Sequence, residues 1–167
     1  MPAAGRTGFV VSPRLRVGTG VDAHRFGPGR PLMLGTVHVE HAQGLVGHSD
    51  GDVIAHAVCD ALLAASGQPD IGVLFPGGPE WEGVTGARML EIVVGRVRGA
   101  GFAIANAHAV AICERPRLSA HREAMVESMS GIAGAPVTVH ATTTDGLGAL
   151  GRGEGVACHA VALVEGR

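Results

Sequence analysis

The sequence predicts an α+β fold, a sandwich in which about three helices cover one face of a sheet of four to five strands. Five runs rich in Val, Ile, Leu and Ala have strand length, near 15–22, 31–39, 102–113, 136–143 and 155–165. Three segments between them repeat apolar residues at helical spacing. The 167 residues suffice for one domain whose core needs neither a disulfide nor a structural metal. Strands and helices mixed within one such domain form layers, because each element must bury its apolar side against another. The expected organisation is a disordered tail over 1–14 and a single domain over 15–167.

Taken in order, the opening MPAAGRTGFVVSPR holds no apolar run of signal-peptide length. The first strand leads into VGTGVDAHRF, residues 17–26. Gly18, Gly20 and Ala23 fit the loose dinucleotide pattern G-x-G-x-x-G/A, which has meaning only where a helix opens at the glycines to face a pyrophosphate. Here the chain meets Gly27-Pro28-Gly29, which breaks a helix. An extended chain instead turns residues i and i+2 to one side, so Asp22 and His24 can face one ion. Two ordinary polar residues at a strand end fit the same sequence.

The helix near 51–66 carries Val53, Ile54, Ala57, Val58, Ala61, Leu62 and Ala65 at helical spacing, with Ser49 or Asp50 as N-cap. His56 lies opposite that stripe, with Asp52 and Asp60 four residues away on either side. Asp22, His24 and His56 would supply the three ligands of a catalytic zinc that keeps one position open. With nine histidines in the chain, a solvated polar helix face gives the same pattern. GHSDGD puts His48 and Ser49 at the mouth of this helix, where backbone N–H groups and the helix dipole favour an anion. Simple capping by Ser49 or Asp50 explains these residues as well.

The second helix, about 85–99, repeats Met89, Leu90, Val93, Val94 and Val97; the third, 119–132, repeats Ala124, Met125, Met129 and Ile132. Each is followed by glycine. CERPRL, residues 113–118, reads as a strand-to-helix turn with Pro116 fixing the backbone and Arg115 and Arg117 solvated. HATTTDGLGALGRGEG, residues 140–155, joins three threonines, a possible hard-metal ligand in Asp145, and glycines with exposed N–H groups. Phosphate recognition fits, and so does a glycine-rich turn, since no Walker lysine is present.

Composition narrows the partners. A net charge of −2, from 13 basic and 15 acidic residues without a Lys/Arg run, points to neither a nucleic-acid nor an anionic-membrane surface and leaves a small molecule as the expected partner. Charged residues make up only 17%, below the roughly 25% of an average domain, which predicts a surface partly covered by other subunits. Cys59, Cys113 and Cys158 are odd in number and form no CxxC, as expected of reduced, buried thiols in a cytoplasmic protein. No run of about 18 apolar residues offers a membrane span.

Together and in order, GTGVDAHRF, GHSDGDVIAHAVCDALL, DIGVLFP, CERPRL and ATTTDGLGALGRGEGVA resemble the 2-C-methyl-D-erythritol 2,4-cyclodiphosphate synthases of the non-mevalonate isoprenoid pathway, over roughly residues 16–165. The resemblance implies a homotrimer with active sites between neighbours. It assigns Asp22, His24 and His56 as ligands of one zinc per subunit, the first two also meeting substrate. His48 and Ser49 match contacts to the phosphate-bearing methylerythritol part. Asp70 and Gly72 match the ribose-binding turn, with Ile71, Phe75 and Pro76 counted among the substrate-binding residues.

By the same resemblance Cys113, Glu114, Arg115 and Pro116, with Arg117, Leu118 and Ser119, form the cytosine pocket. Thr142, Thr143, Thr144 and Asp145 stand around the diphosphate, where Asp145 holds a second divalent ion, magnesium or manganese. Arg152 lines the trimer axis. The implied reaction closes 4-diphosphocytidyl-2-C-methyl-D-erythritol 2-phosphate into the cyclic diphosphate and releases CMP, with His48 and Thr143 stabilising the transition state.

Four departures from the family pattern stand out. FPGGP replaces an acidic FPDTD-like stretch, so Gly77 and Gly78 offer no carboxylate. Asp145 stands for a common glutamate, Ala149 for a frequent phenylalanine and Arg117 for the usual lysine. The missing acids motivate a second reading, a weakened homologue that binds CDP-type ligands; a third is a zinc-dependent phosphoesterase that lets water attack.

Overall fold

The computed structural model describes residues 14–167. The tail expected over 1–14 therefore lies outside the described residues except for Arg14, whose carbonyl accepts the Gly166 N–H at 2.6 Å. In chain order the strands are β1 (Leu15–Gly27), β2 (Leu32–Leu34), β3 (Val37–Val39), β4 (Gly44–Leu45), β5 (Phe102–Ile112), β6 (Val137–Thr142) and β7 (Gly155–Gly166). The helices are α1 (Val53–Ser66), α2 (Ile71–Leu74), α3 (Gly86–Gly99), α4 (Arg122–Ala133) and α5 (Gly148–Gly151). One five-stranded sheet has the order β4-β1-β7-β5-β6. It is mixed, since β5 and β6 run parallel and the other pairs antiparallel.

The three long helices are those the apolar spacing predicts. The short α2 and α5, and the two-residue β4, are too brief to leave a periodic signal. The run 31–39 is not one strand but a separate hairpin, β2 against β3. Its turn, Gly35-Thr36, has positive φ at both residues, 59° and 66°. A threonine rarely adopts that conformation, and the sequence carries no Asn-Gly signature to announce it. A remote carboxylate holds the turn: Asp52 accepts the N–H groups of both Gly35, at 2.8 Å, and Thr36, at 2.6 Å.

β1 runs on to Gly27 because β7 pairs with it as far as Arg25 and β4 takes over at Phe26 and Gly27. Its two early glycines have a packing role. A Cβ on Gly18 would stand 2.1 Å from the Ala61 carbonyl oxygen, and one on Gly20 equally close to that of Ala57. α1 thus lies directly on the β1 backbone, and the dinucleotide reading of these glycines has no counterpart here. Alternation turns Val17, Thr19 and Val21 to the opposite face. That face is bare: Val17 and Val21 are 65% and 68% exposed, beside half-open Leu15 and Val161.

α1 is the buried centre of the molecule, with Val53, Ile54, Val58, Leu62 and Leu63 fully enclosed. Two expectations about it need correction. Its N-cap is neither Ser49 nor Asp50 but Asp52, whose carboxylate accepts the Ile54 and Ala55 N–H groups, both at 3.1 Å. The supposed polar face is not solvated either, since Asp52 is fully buried and His56 is 3% exposed. None of the helices among the described residues is long and apolar enough to cross a membrane.

Candidate metal and substrate site

β1 and α1 meet where Asp22, His24 and His56 converge. The Asp22 Oδ2 lies 2.8 Å from His56 Nδ1 and 3.2 Å from His24 Nε2. One ligand atom from each residue falls within 4.8 Å of the others. The period-2 alternation of β1 brings Asp22 and His24 to the α1 side, and the helix supplies His56 from above. Each histidine is oriented by its second nitrogen. His24 Nδ1 is 2.6 Å from the Val46 carbonyl, and His56 Nε2 is 3.1 Å from the Ser49 hydroxyl. With Nδ1–H of His24 donated to Val46 and Nε2–H of His56 to Ser49, the remaining nitrogen of each ring can give its lone pair to a metal or, when protonated, donate to Asp22.

This donor set, two imidazoles and one carboxylate with outer hydrogen bonds in place, fits a zinc ion with one position left open. Electrostatics agree. Burial raises the Asp22 carboxyl, but hydrogen bonds and charge from His24 and His56 outweigh it and hold the group well below the usual carboxylate range. The hydrogen bond to Asp22 raises His24 above its ordinary value, against an opposing effect of burial. A metal requires the neutral ring, so it must displace a proton that His24 keeps to higher pH than a free imidazole. Zinc affinity is therefore expected to weaken on acidification, starting above pH ~6.5 and by up to about tenfold per pH unit. Chelator competition between pH 6 and 8.5 measures it, and a flat profile would remove His24 from the ligand set.

The other two acids of the expected stripe turn elsewhere. Asp52 is used up by the four N–H groups already described, so the helix mouth has no free Ile54 or Ala55 N–H to offer an anion. Burial pushes its carboxyl above the usual range despite those donors. Asp60 accepts the Ile71 N–H at 2.8 Å. It thereby ties α2 to α1 and brings Ile71 and Gly72 into the wall of the metal cavity, about 250 Å³ in volume. Asp70 caps α2 through the Val73 N–H at 3.1 Å.

His48, Ser49 and Phe75 line the same cavity. The His48 Nε2 stands 2.9 Å from the Gly78 carbonyl oxygen and 3.2 Å from the Gly78 nitrogen. It thus fastens the FPGGP loop by its backbone where side-chain acids are missing. Trp81 and Val84, which no spacing singled out, and Met89, which the helical repeat placed only in an apolar stripe, complete the wall. Trp81 packs edge-on to Phe75 with ring centroids 4.9 Å apart. Its one available signal was being the sole tryptophan, placed in a glycine- and proline-rich loop.

A second cavity, about 370 Å³, is lined by the whole segment from Cys113 to Ser119 together with Ala141, Thr142 and Thr143. β5 and β6 end side by side here, which is why two segments distant in sequence share it. Glu114 accepts the N–H groups of Thr144, at 3.1 Å, and Gly146, at 3.4 Å, pinning the threonine loop. Asp145 holds a left-handed φ of 52° and accepts the Thr143 hydroxyl at 3.2 Å. Burial, then the Glu114 charge, push the Cys113 thiol up to about 11, so it stays protonated and is no nucleophile at neutral pH. Arg152 pairs with Glu154 at 2.6 Å on the exposed loop. Within one chain the two cavities share no lining residue.

Residues 15–165 match the model of the YgbB family. A protein of Gloeobacter violaceus named 2-C-methyl-D-erythritol 2,4-cyclodiphosphate synthase is 45% identical over 155 residues, covering 90% of this chain and 95% of its own. One of the same name from Acidothermus cellulolyticus is 47% identical over 150 residues, 89% and 93% of the two chains. Among solved structures, a 2C-methyl-D-erythritol-2,4-cyclodiphosphate synthase in its CDP-bound form superposes with a TM-score of 0.82 at 36% identity, over 90% of this chain and all of the other. The bifunctional IspDF of Campylobacter jejuni gives 0.87 at 34% identity over 92% of this chain, which spans 42% of that longer one.

Proposed function

The chain belongs to the YgbB family, and from that premise we infer that it is a 2-C-methyl-D-erythritol 2,4-cyclodiphosphate synthase, a lyase of isoprenoid precursor biosynthesis. The observation that carries the reading is the Asp22–His24–His56 cluster beside the Asp70–Gly72 turn, in a chain this similar to proteins of that name. The single domain from residue 15 onward acts in the cytoplasm as a homotrimer. Three features support assembly: the bare apolar sheet face, the low charge content, and the separation of the two cavities within one chain.

In the reaction, an oxygen of the 2-phosphate attacks the β-phosphorus of the diphosphocytidyl group, the bond to the α-phosphate oxygen breaks, and CMP leaves with its electron pair. Asp22, His24 and His56 would hold zinc, which would supply a Lewis acid for a phosphate oxygen. Asp145 would hold a second divalent ion, magnesium or manganese, whose charge would offset that of the diphosphate. His48 and Thr143 donate hydrogen bonds to oxygens on which charge builds, at positions set before substrate arrives. Asp70 and Gly72 receive the ribose, and the 113–119 segment of a neighbouring subunit receives the cytosine. Arg152 stands at the trimer axis. The FPGGP backbone, fixed by His48, takes the place of acidic side chains against the methylerythritol.

Phosphorus NMR of the product tests the reaction. A cyclic diphosphate with free CMP is expected; an open-chain product means hydrolysis, and no turnover with ligand still bound means a binding protein. Site sharing has its own test. Two inactive variants, His56→Ala in the metal cavity and Thr143→Val in the other, are expected to recover up to about a quarter of wild-type activity when mixed and reassembled. No recovery would show that each site is built within one chain.

A further inference from the structure

We infer that Arg30 is a positioning residue for His48, acting through the backbone of the loop that carries it. The inference rests on the proposed reaction, in which His48 meets the reacting phosphates. Arg30 leaves the Gly27-Pro28-Gly29 turn after β1, and its half-buried side chain reaches across to residues 46–49. Its Nη1 donates to the Gly47 carbonyl at 2.8 Å and its Nη2 to the Ser49 carbonyl. These two carbonyls bracket His48. The guanidinium is a planar fork of donors, so gripping both at once restrains the peptide unit that leads into His48 and the one that follows Ser49, and so fixes the short span that carries the His48 side chain.

The surroundings are built for this grip. The Arg30 stem lies against Gly44, where a Cβ would stand 2.8 Å from Arg30 Cγ and 2.6 Å from its carbonyl oxygen. Three backbone bonds also hold the loop, two at its ends and one at His48. The Val46 N–H reaches the Arg25 carbonyl, the Asp50 N–H reaches that of Val84, and the Gly83 N–H reaches that of His48. The Val46 carbonyl and the Ser49 hydroxyl meet the two histidines of the metal cluster. Arg30 closes the flank between these anchors, and the exposed His48 ring adds a bond to Gly78 alone. A lysine keeps the charge but presents one ammonium instead of a fork, so it cannot hold both carbonyls in this geometry.

The test compares Arg30→Lys and Arg30→Met in the wild-type and His48→Ala backgrounds, reading zinc content, kcat and KM for CMP release. Both variants are expected to keep their zinc and to hold KM within about threefold, while kcat falls on the order of 10- to 100-fold. In the His48→Ala background, Arg30→Met is expected to cost less than about threefold more, because the group it positions is gone. An undiminished kcat, or the same factor lost in both backgrounds, overturns the inference. Amide hydrogen exchange in the zinc-loaded protein gives a readout free of turnover. Exchange at Val46 and Asp50 is expected to quicken at least about tenfold in Arg30→Met. Unchanged exchange overturns the positioning role even if the wild-type protein makes no cyclic product, an outcome that by itself rejects the reaction and not the grip.

Discussion

Replacing His56 by alanine is expected to empty the metal site and to lower turnover by roughly 10³-fold or more, while the chain stays folded. Losing a Lewis acid at a phosphoryl centre removes several kcal/mol of transition-state stabilisation, and each 1.36 kcal/mol is tenfold in rate. The fold should survive because alanine is the best helix former and the large apolar side chains of α1, from Val53 to Leu63, are untouched. The ring is nevertheless buried, and its bonds to Asp22 and Ser49 are lost with it. A stability loss of about 1–2 kcal/mol follows, read as a modest drop in Tm. Metal analysis, a thermal melt and CMP release on one preparation separate the effects. Full zinc occupancy in the variant would exclude His56 as a ligand, and a collapsed melt would make its role structural.

The second large effect concerns a residue with no part in the chemistry. Asp52→Ala is expected to destabilise the protein by about 3–5 kcal/mol, more than any single change at the metal ligands. One carboxylate accepts four N–H groups, from Gly35, Thr36, Ile54 and Ala55, in a place closed to water. Each buried donor left unpaired costs on the order of 1–3 kcal/mol before relaxation. Thr36 would also lose the bond that keeps its unfavourable positive φ. With a Tm shift of roughly 2–4 °C per kcal/mol at this chain length, the melt should fall by about 10 °C. Asp52→Asn can keep the oxygen that accepts from Gly35, Ile54 and Ala55 but turns an amide N–H₂ toward the Thr36 N–H, so it should recover only part of the loss. A Tm within about 2 °C of wild type in both variants would mean that water replaces the carboxylate at little cost.

α1, α3 and α4 were legible because burial of a long helix imposes the same 3.6-residue apolar repeat wherever it occurs, and β5, β6 and β7 because Val, Ile and Ala crowd their interior positions. The 31–39 hairpin was not, since its Gly35-Thr36 turn depends on a carboxylate sixteen residues further on. α2 was not either. It is one turn long and is held by Asp60 from another helix.

At the site, Asp22 and His24 could be paired from alternation along one strand, and His56 from its place opposite an apolar stripe. Those are short-range geometric facts that any strand or helix obeys, so the sequence alone determined which residues were available as ligands. It could not determine where the two acids on either side of His56 would turn. Asp52, His56 and Asp60 share one side of the helix, yet only His56 turns to Asp22, while Asp52 is taken by the β2–β3 turn and Asp60 by the start of α2. The tertiary structure decided this, because a buried polar group goes to whichever unpaired N–H or lone pair the packing brings within about 3 Å. The partners that decided it, Gly35 and Thr36 for Asp52, Asp22 for His56 and Ile71 for Asp60, lie 11 to 34 positions away along the chain, beyond the reach of any local periodicity.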